Sequence, residues 1–177
     1  MVRINDGDNC LKIIIAGSRS IDKYRAFYEF IKICPIAIDV CRTYYLIECA
    51  FPNEIHEKYK KMGITFNEVS EFVTGDCSYG ADQVPYMLQE GIGFDRFTTI
   101  KSFIPDWNNL DNPGAVIKTN SYGKKYNAKA GCDRNSEMAD YADGLVLIWD
   151  GKSKGSLNMK KEMEKRNKPI LEIMVND

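Results

Sequence analysis

Five apolar residues in a row, Leu145-Val146-Leu147-Ile148-Trp149, break directly into Asp150-Gly151-Lys152-Ser153-Lys154-Gly155-Ser156. A short run with no polar alternation suits a strand covered on both faces, as in a parallel sheet. The segment that follows carries Lys and Glu at helical spacing, so the break reads as a strand-to-helix loop. Where such a helix begins, N–H groups without intrahelical acceptors and the helix dipole favour an anion, most often a phosphate. An ordinary strand–turn–helix junction would use the same residues, so the remainder of the chain has to decide.

The same grammar recurs upstream. Leu11-Lys12-Ile13-Ile14-Ile15-Ala16 predicts a buried first strand, ending in Gly17-Ser18-Arg19-Ser20. Asp22 is placed to cap a helix running to about residue 33, with Tyr24, Phe27, Phe30 and Ile31 on one face and Pro35 as its stop. Residues 69–74 predict a second strand, feeding the glycine-bearing loop 75–82. A helix is expected over 83–90, with Pro85 near its first turn and Gly91 and Gly93 closing it. Residues 97–104 read as a third strand, and 106–126 as a long loop. A helix over 131–142 has Asp133 near its start and Met138, Tyr141 and Ala142 facing inward. The strand at 145–149, a helix over 156–166 and a last strand at 168–175 complete the series. Residues 36–68 are less regular, with strand signals at 36–40 and 43–49 and a helix signal at 52–62 stopped by Gly63. They read as an elaboration on a single domain spanning 1–177. Alternating strands and helices predict an α/β fold: a mainly parallel sheet, right-handed crossovers and helices on both faces. Ligands of such folds sit beyond the carboxyl ends of the strands, where loops 17–20, 75–82 and 150–156 converge.

Composition narrows the function classes. The formal net charge of −1 argues against coating nucleic acid or an anionic membrane, and no stretch nears the roughly 18 apolar residues of a membrane span. The polar first residues do not resemble a signal peptide, so a cytoplasmic location is expected. The lone histidine, His56, lies in a polar stretch, which argues against Ser-His-Asp or Cys-His catalysis. The six cysteines form no C-x-x-C pair, so neither a metal site nor a disulfide framework is expected, and no cofactor is implied. Between Lys118 and Lys168, twelve Lys and Arg face seven Asp and Glu, a local excess that suits an anionic ligand. Solvated helix faces account for part of it, Lys160, Lys161 and Lys165 included.

Individual residues carry the candidate chemistry. Gly151, Ser153, Gly155 and Ser156 offer N–H and hydroxyl donors, and Lys152 and Lys154 add charge. A Walker A loop is excluded, because position 146 is Val where the pattern needs Gly. Arg19 could fork onto a phosphate or form a surface ion pair. Arg134 stands beside Asn135 at a helix start, where a cation is disfavoured unless an anion accompanies it. Asp82 could bond ribose hydroxyls or cap its helix. Trp107 could stack on a base or belong to the core.

Taken in order, Ile15-Ala16-Gly17-Ser18-Arg19, Gly75-x4-Gly80-Ala81-Asp82, Asp106-Trp107, Ala130-Gly131-x-x-Arg134-Asn135-x-Glu137-Met138 and Trp149 through Ser156 resemble the YspA-type branch of the SLOG superfamily. That Rossmann-like group includes the lonely-guy phosphoribohydrolases and the DNA-processing protein DprA. The resemblance spans about residues 11–175 apart from 36–68. It implies a Rossmann-like three-layer fold and a nucleotide or nucleotide-derived ligand, such as a nucleoside phosphate or an ADP-ribose-like molecule. The ligand would be held by Gly17, Ser18, Arg19, Gly75, Gly80, Ala81, Asp82, Trp107, Arg134, Asn135 and the 151–156 loop. A sensing or sequestering role in bacteria or phage follows by analogy, with a dimer or higher homo-oligomer as in lonely-guy relatives. Two departures stand out. Thr74-Gly75-Asp76 replaces the usual double glycine, and Asp76 would bring a carboxylate towards a phosphate. The lonely-guy enzymes also pair their arginine with a glutamate just after this loop. Asn158 and Met159 stand there instead, and neither can ionise to a carboxylate. Ligand binding is therefore the expectation. The alternative is a nucleoside monophosphate N-glycosidase in which Arg134 and Glu137 are catalytic.

Overall fold

The structure is a computed structural model that describes residues 11–32, 69–92 and 99–176. In chain order it contains β1 (Leu11–Gly17), α1 (Lys23–Ile31), β2 (Val69–Thr74), a 3-10 turn (Gly80–Gln83) leading into α2 (Val84–Ile92), β3 (Thr99–Ser102), β4 (Ile117–Thr119), β5 (Lys125–Asn127), α3 (Ala130–Tyr141), β6 (Gly144–Trp149), α4 (Lys154–Lys165) and β7 (Ile170–Met174). Five strands form one sheet in the order β3-β2-β1-β6-β7, every pair of neighbours parallel. β4 and β5 form a separate antiparallel hairpin.

Successive strand residues point to opposite faces, and each face has its own helices. Ile13, Ile15, Phe72, Val146 and Ile148 pack with Ala26 and Phe30 of α1 and Val84 and Leu88 of α2. Ile14, Val73, Leu145 and Leu147 pack on the other side with Met138 and Ala139 of α3 and Met159 and Met163 of α4. The fold is thus the expected Rossmann-like, three-layer α/β arrangement. Burial on both faces explains why β6 tolerates no polar residue: all six of its residues are buried. No helix among the described residues is long and apolar enough to cross a membrane.

Several boundaries differ from the sequence-based expectation, each for a local reason. Asp22 does cap α1, its Oδ1 accepting from the Tyr24 N–H at 2.9 Å. Tyr24 itself is 65% exposed, however, and Ala26 takes the inward position expected of it. Gly91 lies inside α2 rather than closing it. The third strand is only Thr99–Ser102. The loop at 106–126 contains most of the β4–β5 hairpin, turned by Asn120, whose Oδ1 accepts from the Tyr122 and Lys124 N–H groups, and by Gly123 at φ +77°. Its strands are three residues each, too short to show alternation. α4 starts at Lys154, two residues early, because Ser153 caps it through the Ser156 N–H. The expected elements at 36–40, 43–49 and 52–62, the stop at Pro35, Gly93, and His56 lie outside the described residues.

The last crossover is pinned by charge. Lys168 Nζ donates to the carbonyls of Ala139, Asp140 and Ala142 at 2.7, 3.0 and 2.5 Å, taking up the free carbonyls at the end of α3. Arg166 beside it bonds Asp140 Oδ1, Glu162 Oε2 and Ser136 Oγ, joining α3 to α4. Lys168→Met keeps the aliphatic stem but leaves these carbonyls unpaired. It should lower the unfolding free energy by about 1–3 kcal/mol in urea titrations, with an unchanged denaturant slope.

Candidate functional site

β1 is flanked by β2 on one side and β6 on the other, so the chain reverses direction across the sheet at β1. Loops leaving β1 and β6 diverge there and open a crevice at the carboxyl edge. The crevice is a cavity of about 510 Å³, a size that suits a small organic ligand. It draws residues from every loop singled out in the sequence: Gly17 and Arg19, Gly75 and Asp82, Arg134 and Asn135, and Lys152, Ser153, Gly155 and Ser156.

Glycines let these loops touch. A Cβ on Gly17 would stand 1.8 Å from the Ile148 carbonyl oxygen, so β1 and β6 meet with no room for a side chain. Gly80, at φ +75°, has its missing Cβ 2.5 Å from the Ser18 carbonyl oxygen. Gly80 and Ala81 therefore hold the second loop against the first and do not line the cavity. Gly75 serves Arg134: a Cβ there would lie 1.8 Å from Nη1 of the guanidinium.

Arg134 divides its donors. Nη1 reaches the carbonyls of Gly75 (2.5 Å) and Phe103 (3.3 Å), tying together the ends of β2 and β3. Its Nε is buried with no acceptor. The Nε–Nη2 edge is the one that grips carboxylates and phosphates in pairs. On the facing helix, the Ser156 hydroxyl is also buried and unpartnered. Asn135 Nδ2 donates to Asn158 Oδ1 at 2.8 Å, with a longer contact to the Gly155 carbonyl, and braces α3 against α4.

The loop after β6 differs from the expected phosphate cradle in one respect. Asp150 Oδ1 accepts from the backbone N–H groups of Lys152 (2.9 Å) and Ser153 (3.0 Å) and from Ser18 Oγ (2.7 Å), while Oδ2 accepts from Ser20 Oγ (2.8 Å). The Ser153 N–H, expected on a phosphate, and the Lys152 N–H beside it are thus taken by the protein's own carboxylate. The Lys152 N–H, followed by the Ser18 and Ser20 hydroxyls, holds the Asp150 pKa well below the usual carboxylate range. Ser18 is buried in this network and does not line the cavity. Gly151 supplies the positive φ of the turn, +73°. Neither Gly151 nor Lys154 lines the crevice, and Lys154 is exposed.

Other expected residues fall elsewhere. Trp107 packs edge-on against Tyr126 and over Gly131 at the start of α3, outside the cavity. Glu137 is exposed on the far side of α3 and lines a smaller cavity that also borders Arg134. Asp76 points to Tyr86, whose hydroxyl donates to it at 2.8 Å, so its carboxylate is held outside the crevice. Sequence reasoning missed Asp150, Ser20, Cys77, Met138 and Met159 as lining residues. Only Asp150 had a signal: an Asp ahead of Gly151 and two further polar residues is a local hydrogen-bonding turn. Among the described residues no three His, Cys, Asp or Glu side chains gather as a metal site needs. The chain matches no protein-family model, no curated protein and no solved structure.

Asp82 sits in the crevice, buried, with the Cys77 N–H on its Oδ2 at 3.2 Å. Burial raises its pKa from 3.8 to about 6, while Arg134 and the Cys77 N–H pull it down. The folded protein therefore holds this proton more tightly than the unfolded chain. Its contribution to stability is full below about pH 4 and lost as pH rises through about 6. Urea denaturation at pH 4 and 7.5 should show wild type losing about 2–3 kcal/mol relative to Asp82→Asn between the two.

Proposed function

We propose that this chain is a nucleotide-ligand binding protein of the SLOG type, holding a phosphate-bearing ligand in the crevice between α3 and α4. The observation that carries this reading is a pair of buried polar groups without partners, Ser156 Oγ and Arg134 Nε, contributed to one cavity by two different helices. Unmet buried groups cost about 1–3 kcal/mol each, more when charged, so a fold retains them where a ligand completes them. Two donors, one carrying a full charge, call for an anion. The first turn of α4 contributes N–H groups and its dipole at the same place, and Arg19 and Lys152 at the rim add positive charge. The resemblance in motif order narrows the anion to a nucleotide or nucleotide-derived molecule, and suggests a sensing or sequestering role in a bacterium or phage.

One observation favours the N-glycosidase alternative. Asp82, with its pKa raised to about 6, would be a serviceable proton donor near neutral pH. Against that, Glu137 lies outside the crevice and Asn158 is occupied with Asn135.

Ser156→Ala separates a ligand role from a structural one. Removing an unpartnered buried hydroxyl should leave the melting temperature of the free protein unchanged or slightly higher. The same change should weaken binding of a nucleoside monophosphate by about tenfold or more in calorimetric titration, roughly the worth of one lost hydrogen bond. Free base is followed in the same samples. Undiminished affinity in Ser156→Ala, or no stabilisation of wild type by any nucleotide, rejects the reading. Base release that Asp82→Asn abolishes replaces it with the hydrolase.

A further inference from the structure

A carboxylate stands inside the crevice that would hold an anion. Asp82, only 7% exposed, lines the same cavity as Arg134 and the buried, unpartnered Ser156 hydroxyl. Its Oδ2 and Nη1 of Arg134 converge on the space left by the absent Gly75 side chain, 2.9 and 1.8 Å from where a Cβ would stand. Each is bonded elsewhere: Nη1 to the Gly75 and Phe103 carbonyls, Oδ2 to the Cys77 N–H. A phosphate drawn to Arg134 Nε and Ser156 therefore meets a second negative charge at close range, where water screens poorly.

Like charges forced into one site resolve the conflict by taking up a proton. The groups around Asp82 bear on whether it receives that proton. Arg134 from α3 and Arg19 from the loop after β1 favour its ionised form, and Asp76 from its own loop opposes it. Cys77 and Tyr86 are the titratable neighbours on that side, and the Tyr86 hydroxyl is bonded to Asp76. Across the cavity stand Lys152 and Asp150, the latter held ionised by its four donors. Helices α1 and α2 meet the 80–83 turn through apolar side chains, with Ala26, Phe30 and Leu88 clustered around Ala81 and Val84. Burial already brings Asp82 to half-protonation at about pH 6, and an added anion raises that value further.

We propose that the crevice takes up one proton from solvent together with its anion, and that Asp82 receives it, turning from a repelling charge into a hydrogen-bond donor. This rests on the anion-site reading above and adds that occupancy follows pH. The sign is fixed by linkage: affinity is highest at low pH and falls as pH rises above about 6. Wild type and Asp82→Asn are titrated calorimetrically with a nucleoside 5′-monophosphate between pH 7 and 8, where the free phosphate is largely a dianion. Two buffers of different ionisation enthalpy at each pH count the protons taken up. Wild type should take up most of one proton per ligand and weaken by up to about tenfold per pH unit. Asp82→Asn should take up none and bind about tenfold or more tightly than wild type at pH 8. Wild type gives an independent measurement, the carbon-13 shift of the Asp82 carboxyl. Its titration midpoint should lie about one pH unit or more higher in the saturated protein. Wild-type binding without proton uptake, or equal uptake in Asp82→Asn, overturns the coupling and leaves the anion site standing. If wild type binds no nucleotide at any pH, both fall.

Discussion

The Asp150 carboxylate gathers four donors from two loops, and the geometry of the crevice follows from that cluster. Ser18 and Ser20 come from the loop after β1, and the Lys152 and Ser153 N–H groups from the loop after β6. These loops leave adjacent strands in opposite directions, and two connections leaving one sheet edge would otherwise splay. A charged acceptor at the junction fastens them with hydrogen bonds stronger than neutral ones. It also fixes where Ser153 stands, and Ser153 sets the first turn of α4 by capping the Ser156 N–H. The position of Ser156 is therefore inherited from Asp150. The folded state holds Asp150 ionised, so the stability this cluster contributes is present above the ordinary carboxylate pKa and is lost as pH falls through the lower folded value.

Because Asp150 takes the N–H groups of Lys152 and Ser153, the loop after β6 has neither of them to offer a ligand. In the simplest version of this architecture the backbone of the loop wraps the phosphate. Here the loop is closed on itself, and the free donors lie one turn further on, at Ser156 and across the crevice at Arg134. Asp150 keeps its charge, held by four donors of the two loops, and Asp82 is half-protonated at about pH 6. Arg134, although burial lowers its pKa, stays protonated in any working range. Partial protonation of Asp82 thus makes the crevice less negative near pH 6 than its count of acidic side chains suggests.

The fold was legible where burial leaves no choice. The residues of β6 and β1 read as covered strands because both faces are buried, and Asp22 announced its helix by chemistry alone. The hairpin at 117–127 was invisible because strands of three residues each are too short to carry a period. At the site, residue types were legible and roles were not. A glycine in a loop signals close approach, but the letter does not say to what. Gly17 approaches the Ile148 carbonyl and Gly80 the Ser18 carbonyl, contacts that read in the sequence just as approaches to a ligand do. Asn135 and Glu137 are two positions apart, about 200° around a helix, and so fall on opposite sides of α3. Which of them faces the crevice depends on how α3 rolls against the sheet, a tertiary property set by Met138 and Ala139 in the core.

Arg134 shows why residue identity at this point is demanding. It braces two strand ends through Gly75 and Phe103 while its buried Nε keeps no acceptor. A guanidinium does both because its five N–H groups lie in one plane and diverge, so one Nη can be structural while the opposite edge stays free. A lysine ammonium radiates three donors from one atom. Bonded to the same two carbonyls, it would keep a single donor and no planar fork. The requirement extends to Gly75, whose missing Cβ is the space that the guanidinium occupies. It extends also to Asp82, whose carboxylate Oδ2 would lie only 2.9 Å from that Cβ. Glycine, aspartate and arginine thus form one unit, in which the smallest residue makes it possible for the largest cation to face inward.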